Sequence, residues 1–165
     1  MFELERLRSD HAAEVLAFEM ANRAYFAASV TDRGDEFFEQ FSERHRALLA
    51  EQDTGMFVFH VLLDGDGAVI GRFNLYNLED GTAEVGYRVA ENAAGRGVAT
   101  STLRDLCALA VEQYGLRTLK AKTNNENVAS QRVLEKAGFV PVGPTDVAGR
   151  PGTLYERALE RRPAR

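Results

Sequence analysis

Ala83, Val85, Tyr87 and Val89 alternate with Glu84, Gly86 and Arg88, a period-two pattern that predicts a strand with two unlike faces. Downstream the period changes: Ala99, Leu103, Leu106 and Ala110 recur at helical spacing, and Cys107 and Tyr114 widen the same apolar stripe. The same switching organises the rest of the chain. Residues 3–8 predict a first strand, and Asp10, as N-cap, opens a helix to about residue 28 with Val15, Phe18, Asn22 and Tyr25 on its inner face. The polar Thr31-Asp32-Arg33-Gly34 separates it from a charged helix over residues 35–51 that carries Phe37, Phe38, Phe41 and Leu48. Strands over 56–63 and 68–76 flank the turn Asp64-Gly65-Asp66-Gly67, and Glu79-Asp80-Gly81 makes a second hairpin into the strand described first. A later helix places Ala129, Val133 and Ala137 on one face and ends at Gly138-Phe139, a left-handed residue followed by an apolar contact. A final pair of strands, 140–143 and 154–159, has Gly149-Arg150-Pro151-Gly152 as its turn, and Arg161-Arg162-Pro163-Ala164-Arg165 is a frayed tail.

An antiparallel meander followed by strand, helix, strand, helix and strand predicts an α+β (mixed α/β) fold. Its sheet has about seven strands, mostly antiparallel, with one parallel pair at the centre. With 165 residues, 45% of them hydrophobic, the chain buries one substantial core, and residues 1–165 form a single domain. No segment has the length to cross a bilayer, and Met-Phe-Glu-Leu-Glu-Arg-Leu lacks both a basic n-region and an apolar h-region. A cytoplasmic chain without a membrane partner is expected. The one cysteine, Cys107, lies on an apolar helix stripe and belongs in the core. A net charge of −5 argues against nucleic-acid binding and suits a cationic ligand such as an amine or a basic peptide, though mild acidity also serves solubility. His11, His45 and His60 have no partners spaced for a triad or a metal, so no metal site is expected and all three are structural.

Candidate chemistry begins at the junction between the two periods, Asn92-Ala93-Ala94-Gly95-Arg96-Gly97-Val98-Ala99-Thr100. A helix starts with backbone N–H groups that have no partner inside it, and glycines let a diphosphate approach those donors without a Cβ in the way. Ordinary turns also use Gly-x-Gly, because glycine supplies positive φ. There is no Gly-Lys-Ser/Thr for a P-loop and no third glycine three residues after Gly97 for a dinucleotide fold. The second cue is Thr123-Asn124-Asn125-Glu126-Asn127-Val128-Ala129-Ser130, in which three asparagines precede a helix and supply cap acceptors.

Taken together, residues 92–97 with Ala99, the strand 118–123, Asn127 with Ser130, and Lys136-Ala137-Gly138-Phe139 closely resemble the GNAT superfamily of acetyl-CoA-dependent N-acetyltransferases. The resemblance covers about half the chain, roughly residues 83–142, and departs at Asn92, where Gln or Arg is usual. It implies a parallel pair, 83–89 and 118–123, that splays apart to admit acetyl-CoA as co-substrate. The cofactor residues it implies are Val89, Asn92, Gly95, Arg96, Gly97, Val98, Ala99, Thr100 and Asn127, with the backbone of Val89 serving the acetyl end. Asn92 brings no charge, which shifts weight to Arg96 and the backbone.

The implied reaction is attack of a neutral primary amine on a thioester carbonyl, assisted by a base. By strand periodicity Glu84 is a solvent-facing residue paired with Arg88. The resemblance of Ala83-Glu84-Val85-Gly86-Tyr87 to the ribosomal-protein-alanine N-acetyltransferase (RimJ/RimL) branch makes Glu84 the candidate base, with the small Gly86 leaving space beside it. Ser130, one turn after Asn127, is the candidate donor to the leaving thiolate, with Tyr76 and Tyr87 as rivals. Tyr87 falls on the face opposite Glu84 and reads first as core. The acceptor cleft is drawn from residues 25–41 and from Arg72, Asn74 and Tyr76, which share one face of their strand; a solvated face is the plain alternative. The favoured acceptor is a protein N-terminus. A small-molecule amine such as an antibiotic, polyamine or amino acid, or a CoA-binding regulator without catalysis, are the alternatives, and a homodimer is compatible with each.

Overall fold

A computed structural model describes residues 2–160; the tail expected to fray lies outside the described residues. Seven strands and six α-helices follow the order β1 Glu3–Arg6, α1 Ala12–Ala21, α2 Arg23–Ala27, α3 Asp35–Glu39, α4 Phe41–Asp53, β2 Phe57–Leu63, β3 Val69–Glu79, β4 Thr82–Val89, α5 Val98–Tyr114, β5 Thr118–Asn124, α6 Val128–Lys136, β6 Val140–Val147 and β7 Arg150–Ala158. The sheet order is β1-β2-β3-β4-β5-β7-β6, with β4 and β5 parallel and antiparallel pairing of β1 with β2, β5 with β7 and β6 with β7. This is the α+β architecture that the alternation of periods predicts. The chain divides into two compact units, one of residues up to 74 together with 87–94, the other of 75–86 together with the residues from 95 onward.

In the first unit each of the two predicted helices is interrupted once. Asn22 (φ −109°, ψ 9°) ends α1 and Gln40 (φ −106°, ψ 24°) ends α3. At this break the Phe18 carbonyl accepts twice, from the Asn22 N–H at 3.2 Å and from its Nδ2 at 2.9 Å. The buried face continues from Phe18 and Asn22 in steps of four to Phe26, and Tyr25, expected inside, is 37% exposed. Asp10 does not cap α1. A 3-10 turn, Ser9–His11, intervenes, and the Arg8 N–H donates to His11 Nδ1 at 2.9 Å. Helix α4 is tied to the strands by Gln52, whose side chain donates to Leu7 O at 3.0 Å and accepts from Phe59 N at 2.9 Å. His45 Nε2 donates to Arg8 O at 2.9 Å. His11, which accepts from Arg8 N, also lies 3.3 Å from Glu5 Oε1 through Nε2.

His60, fully buried in β2, donates from Nδ1 to Phe73 O at 2.9 Å. Burial, with the charges of Arg6 and Arg72, pushes its pKa down to about 4 from the usual 6.5, so it is neutral in the fold. The native state binds fewer protons than the unfolded chain between these two values. His60 thus contributes about 3 kcal/mol of stability in full above pH 6.5, progressively lost as pH falls toward 4, with about 2 kcal/mol gone by pH 5. Asn places an amide nitrogen where Nδ1 stands but does not titrate. Thermal unfolding of His60→Asn between pH 7.5 and 5 is expected to show a shallower loss of Tm than the unsubstituted protein; equal slopes would remove His60 as the acid-sensitive group.

In the second unit Leu103, Leu106 and Ala110 of α5, Leu119 of β5, Leu134 of α6 and Phe139 are buried together with Cys107. Burial pushes the Cys107 thiol up, which suits a core residue. Asp80 (φ +52°) and Gly81 (φ +76°) form the two-residue turn between β3 and β4, as predicted. The last hairpin differs from expectation. Its turn is Ala148-Gly149 (φ +52° and +81°), and Arg150, Pro151 and Gly152 lie in β7. Gly152 answers a close strand approach, since a Cβ there would stand 2.7 Å from Thr123 O. Pro151, which has no N–H, uses its carbonyl to accept from Asn125 N at 3.1 Å.

Helix α6 ends in a Schellman motif: Phe139 N donates to Leu134 O at 2.9 Å and Gly138 N to Glu135 O at 3.0 Å, with Gly138 at φ +93°. Its buried stripe is Leu134 and Ala137, while Ala129, expected inside, is exposed. Ser130 shares the Leu134 face, four residues before it.

Candidate functional site

Strand β4 ends at Val89, and a 3-10 turn, Glu91–Ala93, leads to the glycine junction. Gly95 and Gly97 both adopt the left-handed conformation, at φ +74° and +76°, and Gly97 is the N-cap of α5. A Cβ at either position would meet nothing within 4 Å, so backbone conformation rather than crowding selects glycine, and the space in front of both is open. No side chain caps α5 and no acid occupies its first turn. The first N–H to find an intrahelical acceptor is that of Ser101, bonded to Gly97 O at 3.0 Å. The uncapped helix start behind two left-handed glycines, with the exposed Arg96 between them, leaves unpaired N–H groups and the positive end of the helix dipole facing open space, which are the features an anion requires. These donors fit the diphosphate of a CoA thioester. Asn92 is exposed within the 3-10 turn.

Strands β4 and β5 are parallel for only three registered pairs, ending at Glu84↔Lys120. Beyond that point β4 runs on to Val89 and β5 to Asn124, and β5 continues to pair with β7 as far as Asn124↔Gly152. Glu84 stands at the fork, half-buried. Its Oε1 lies 3.8 Å from Lys122 Nζ on β5, so its partner is Lys122 and not the Arg88 that periodicity suggests. The space expected beside Gly86 is filled: a Cβ at Gly86 would stand 2.8 Å from Tyr76 Cε2 and 3.4 Å from its hydroxyl. Glycine here seats the Tyr76 ring on β4, on the strand face that carries Glu84.

At the start of α6 all three asparagines are engaged. Asn127 is the N-cap and its Oδ1 accepts from Ser130 N at 3.1 Å; Asn124 Oδ1 accepts from Glu126 N at 2.9 Å; Asn125 Oδ1 accepts from Thr153 Oγ1 at 2.7 Å. Asn127 and Ser130 are thereby brought together on one turn. Glu84 stands on a different element, β4.

Val89 belongs to the first unit, and its neighbours are held on several sides. Ala90 N donates to Ile70 O at 2.8 Å and Glu91 N to Asn22 Oδ1 at 3.0 Å, while a Cβ at Gly71 would lie 3.2 Å from Arg88 O. Arg72 is buried and the half-buried Asn74 accepts from His60 N at 3.3 Å, so this part of β3 is not a solvated face. Tyr87 stacks on Phe73, with ring centroids 5.6 Å apart, and is core. Sequence reasoning missed Glu19, a carboxylate buried in α1 with Arg33 at 3.1 Å and Arg88 at 3.6 Å. The only available signal was its position one residue after Phe18 on an otherwise apolar turn.

A family profile described as an acetyltransferase (GNAT) domain matches residues 2–140. The chain belongs to this GNAT acetyltransferase family. It is therefore an acetyl-transferring enzyme. The probable N-acetyltransferase YjcK of Bacillus subtilis (strain 168) is 29% identical over 135 residues, covering 78% of this chain and 74% of that protein. Among solved structures, a ribosomal-protein-S5-alanine acetyltransferase from Vibrio fischeri superposes with a TM-score of 0.87 at 20% identity, covering 95% of this chain and 92% of that one. A spermidine N-acetyltransferase from Vibrio cholerae, solved with CoA and spermine, superposes with a TM-score of 0.78 at 17% identity over 95% of each chain. Both structures share the fold of this enzyme. Among the described residues no group of three or more His, Cys, Asp or Glu is placed to hold a metal, and no helix is long and apolar enough to cross a membrane.

Proposed function

We propose that the enzyme acetylates a primary amine, and that its acceptor is the N-terminal α-amine of a protein such as a ribosomal protein. The observation that carries the chemistry is the end of the β4–β5 ladder at Glu84, which leaves the strand edges beyond it to an extended ligand and puts a carboxylate at the fork. Acetyl-CoA, when bound, supplies an acyl thioester. Backbone N–H groups of Val98, Ala99 and Thr100, with Gly95, Arg96, Gly97 and Asn92, hold its diphosphate. Asn127, whose Oδ1 is taken by its own cap, presents Nδ2 to the pantetheine arm. The backbone of Val89 donates to the thioester oxygen, where negative charge develops.

An α-amine with a pKa near 8 is largely protonated at neutral pH, so Glu84 takes up that proton, directly or through water. Ser130 returns a proton to the departing sulfur, with the Tyr76 hydroxyl as the alternative donor. Arg72, Asn74 and Tyr76 contribute the acceptor side of β3. A small-molecule amine is the second reading, favoured by the likeness to the spermidine enzyme. CoA release measured against N-terminal peptides, polyamines and aminoglycosides separates the two: turnover of peptides above the others is expected. Preference for a polyamine or aminoglycoside moves the enzyme to the second reading, and no release with any of these amines defeats both readings of the acceptor.

A further inference from the structure

Glu19 is 2% exposed, yet its Oε2 receives two cations, Arg33 Nε at 3.1 Å and Arg88 Nη1 at 3.6 Å. Each guanidinium also lies over a phenylalanine ring, Arg33 over Phe37 at 4.9 Å and Arg88 over Phe26 at 5.0 Å. The arginine side chains remain 35% and 22% exposed while the carboxylate between them is not. A buried anion and two rings thus fix the planes of two cations whose outer edges reach solvent. Arg33, the more exposed of the two, is thereby a pre-organised forked donor, which loses little side-chain freedom on engaging an oxygen.

The carboxylate itself is incomplete. Glu19 Oε1 is buried and has no hydrogen-bond partner. Buried polar atoms are nearly always paired, and an exception marks a place where a donor is called for. An ammonium is a poor candidate, because two cations already share this one carboxylate. A neutral secondary amide fits both halves: its carbonyl oxygen accepts from a guanidinium and its N–H supplies the donor that Oε1 lacks. Arg33, the more exposed of the two cations, belongs to the Thr31-Asp32-Arg33-Gly34 loop.

We propose that Glu19, Arg33 and Arg88 form a subsite for a backbone peptide group of the acceptor. The proposal rests on the acyl-transfer reading and deepens it. Arg88 directly precedes Val89 in β4, so an amide docked here lies close along the chain to the backbone assigned to the acetyl end. A peptide N-terminus carries an amide beside its amine; polyamines and aminoglycosides carry none. The subsite therefore selects protein N-termini by their first peptide group rather than by the amine itself.

The test is direct binding, independent of turnover. Calorimetry on the CoA-loaded enzyme compares an alanine-initiated tetrapeptide with spermidine, for the unsubstituted protein, Glu19→Gln and Arg33→Gln. Both substitutions are expected to weaken the peptide tenfold or more while leaving spermidine and CoA within twofold. Arg33 sits on a surface loop, so Arg33→Gln carries the test if Glu19→Gln does not fold. Peptide affinity unchanged in Arg33→Gln, equal losses for peptide and spermidine, or no peptide binding by the unsubstituted enzyme would each overturn the subsite. Failure of the acyl-transfer reading looks different: peptide binding persists but no amine releases CoA.

Discussion

Gly97→Val is expected to weaken acetyl-CoA binding at least a hundredfold by calorimetry, while circular dichroism and the folded core remain unchanged. Gly97 caps α5 at φ +76° with open space around its Cα, so a side chain there clashes with nothing in the protein. It instead forces a β-branched residue into the left-handed region, at a cost of roughly 1–2 kcal/mol, which lowers Tm by a few degrees in a chain of this size. The larger effect falls on the ligand, because the new side chain stands in front of the helix start whose N–H groups are the donors. Affinity retained within threefold would mean that the diphosphate is held elsewhere and that the two glycines serve only the turn.

Glu84→Gln is expected to reduce kcat by about 10²-fold or more near neutral pH with acetyl-CoA affinity unchanged, in line with the usual contribution of a positioned base. The sign of its pH dependence is set by the acceptor. Below a pKa near 8 most of the amine is protonated and needs a base, whereas toward pH 9 the free amine is abundant, so the deficit should shrink as pH rises. A kcat–pH profile parallel to that of the unsubstituted enzyme would reject the assignment and leave Glu84 as half of a strand-edge ion pair with Lys122. Such exposed pairs contribute about 1 kcal/mol or less to stability, so the substitution should leave Tm almost unchanged.

Element order and the mixed sheet were largely readable from the switch between periods two and 3.6, while the strand 118–123 that completes the parallel pair came from the family resemblance. Element breaks were not. The helix expected over residues 10–28 is interrupted at Asn22, where the side-chain amide joins its own N–H on the Phe18 carbonyl, a local geometry that propensity leaves open. The error at the last turn has the same origin. Gly149-Arg150-Pro151-Gly152 has turn composition, but Gly152 is needed where β7 runs against Thr123, a residue distant in sequence.

The features that the sequence by itself determined are those made within one turn or hairpin: the left-handed glycines before α5, the Asn127 cap, the Schellman ending at Gly138-Phe139 and the Asp80-Gly81 turn. Their partners lie within about six residues, so residue type and spacing suffice. Only the tertiary structure decided that Glu84 faces Lys122 rather than Arg88, that Tyr76 occupies the room above Gly86, and that Arg88 belongs to Glu19. Each of these depends on strand register or on which helix covers a strand end. Those are set by the burial of many apolar side chains at once and leave no mark in the local pattern of any one segment.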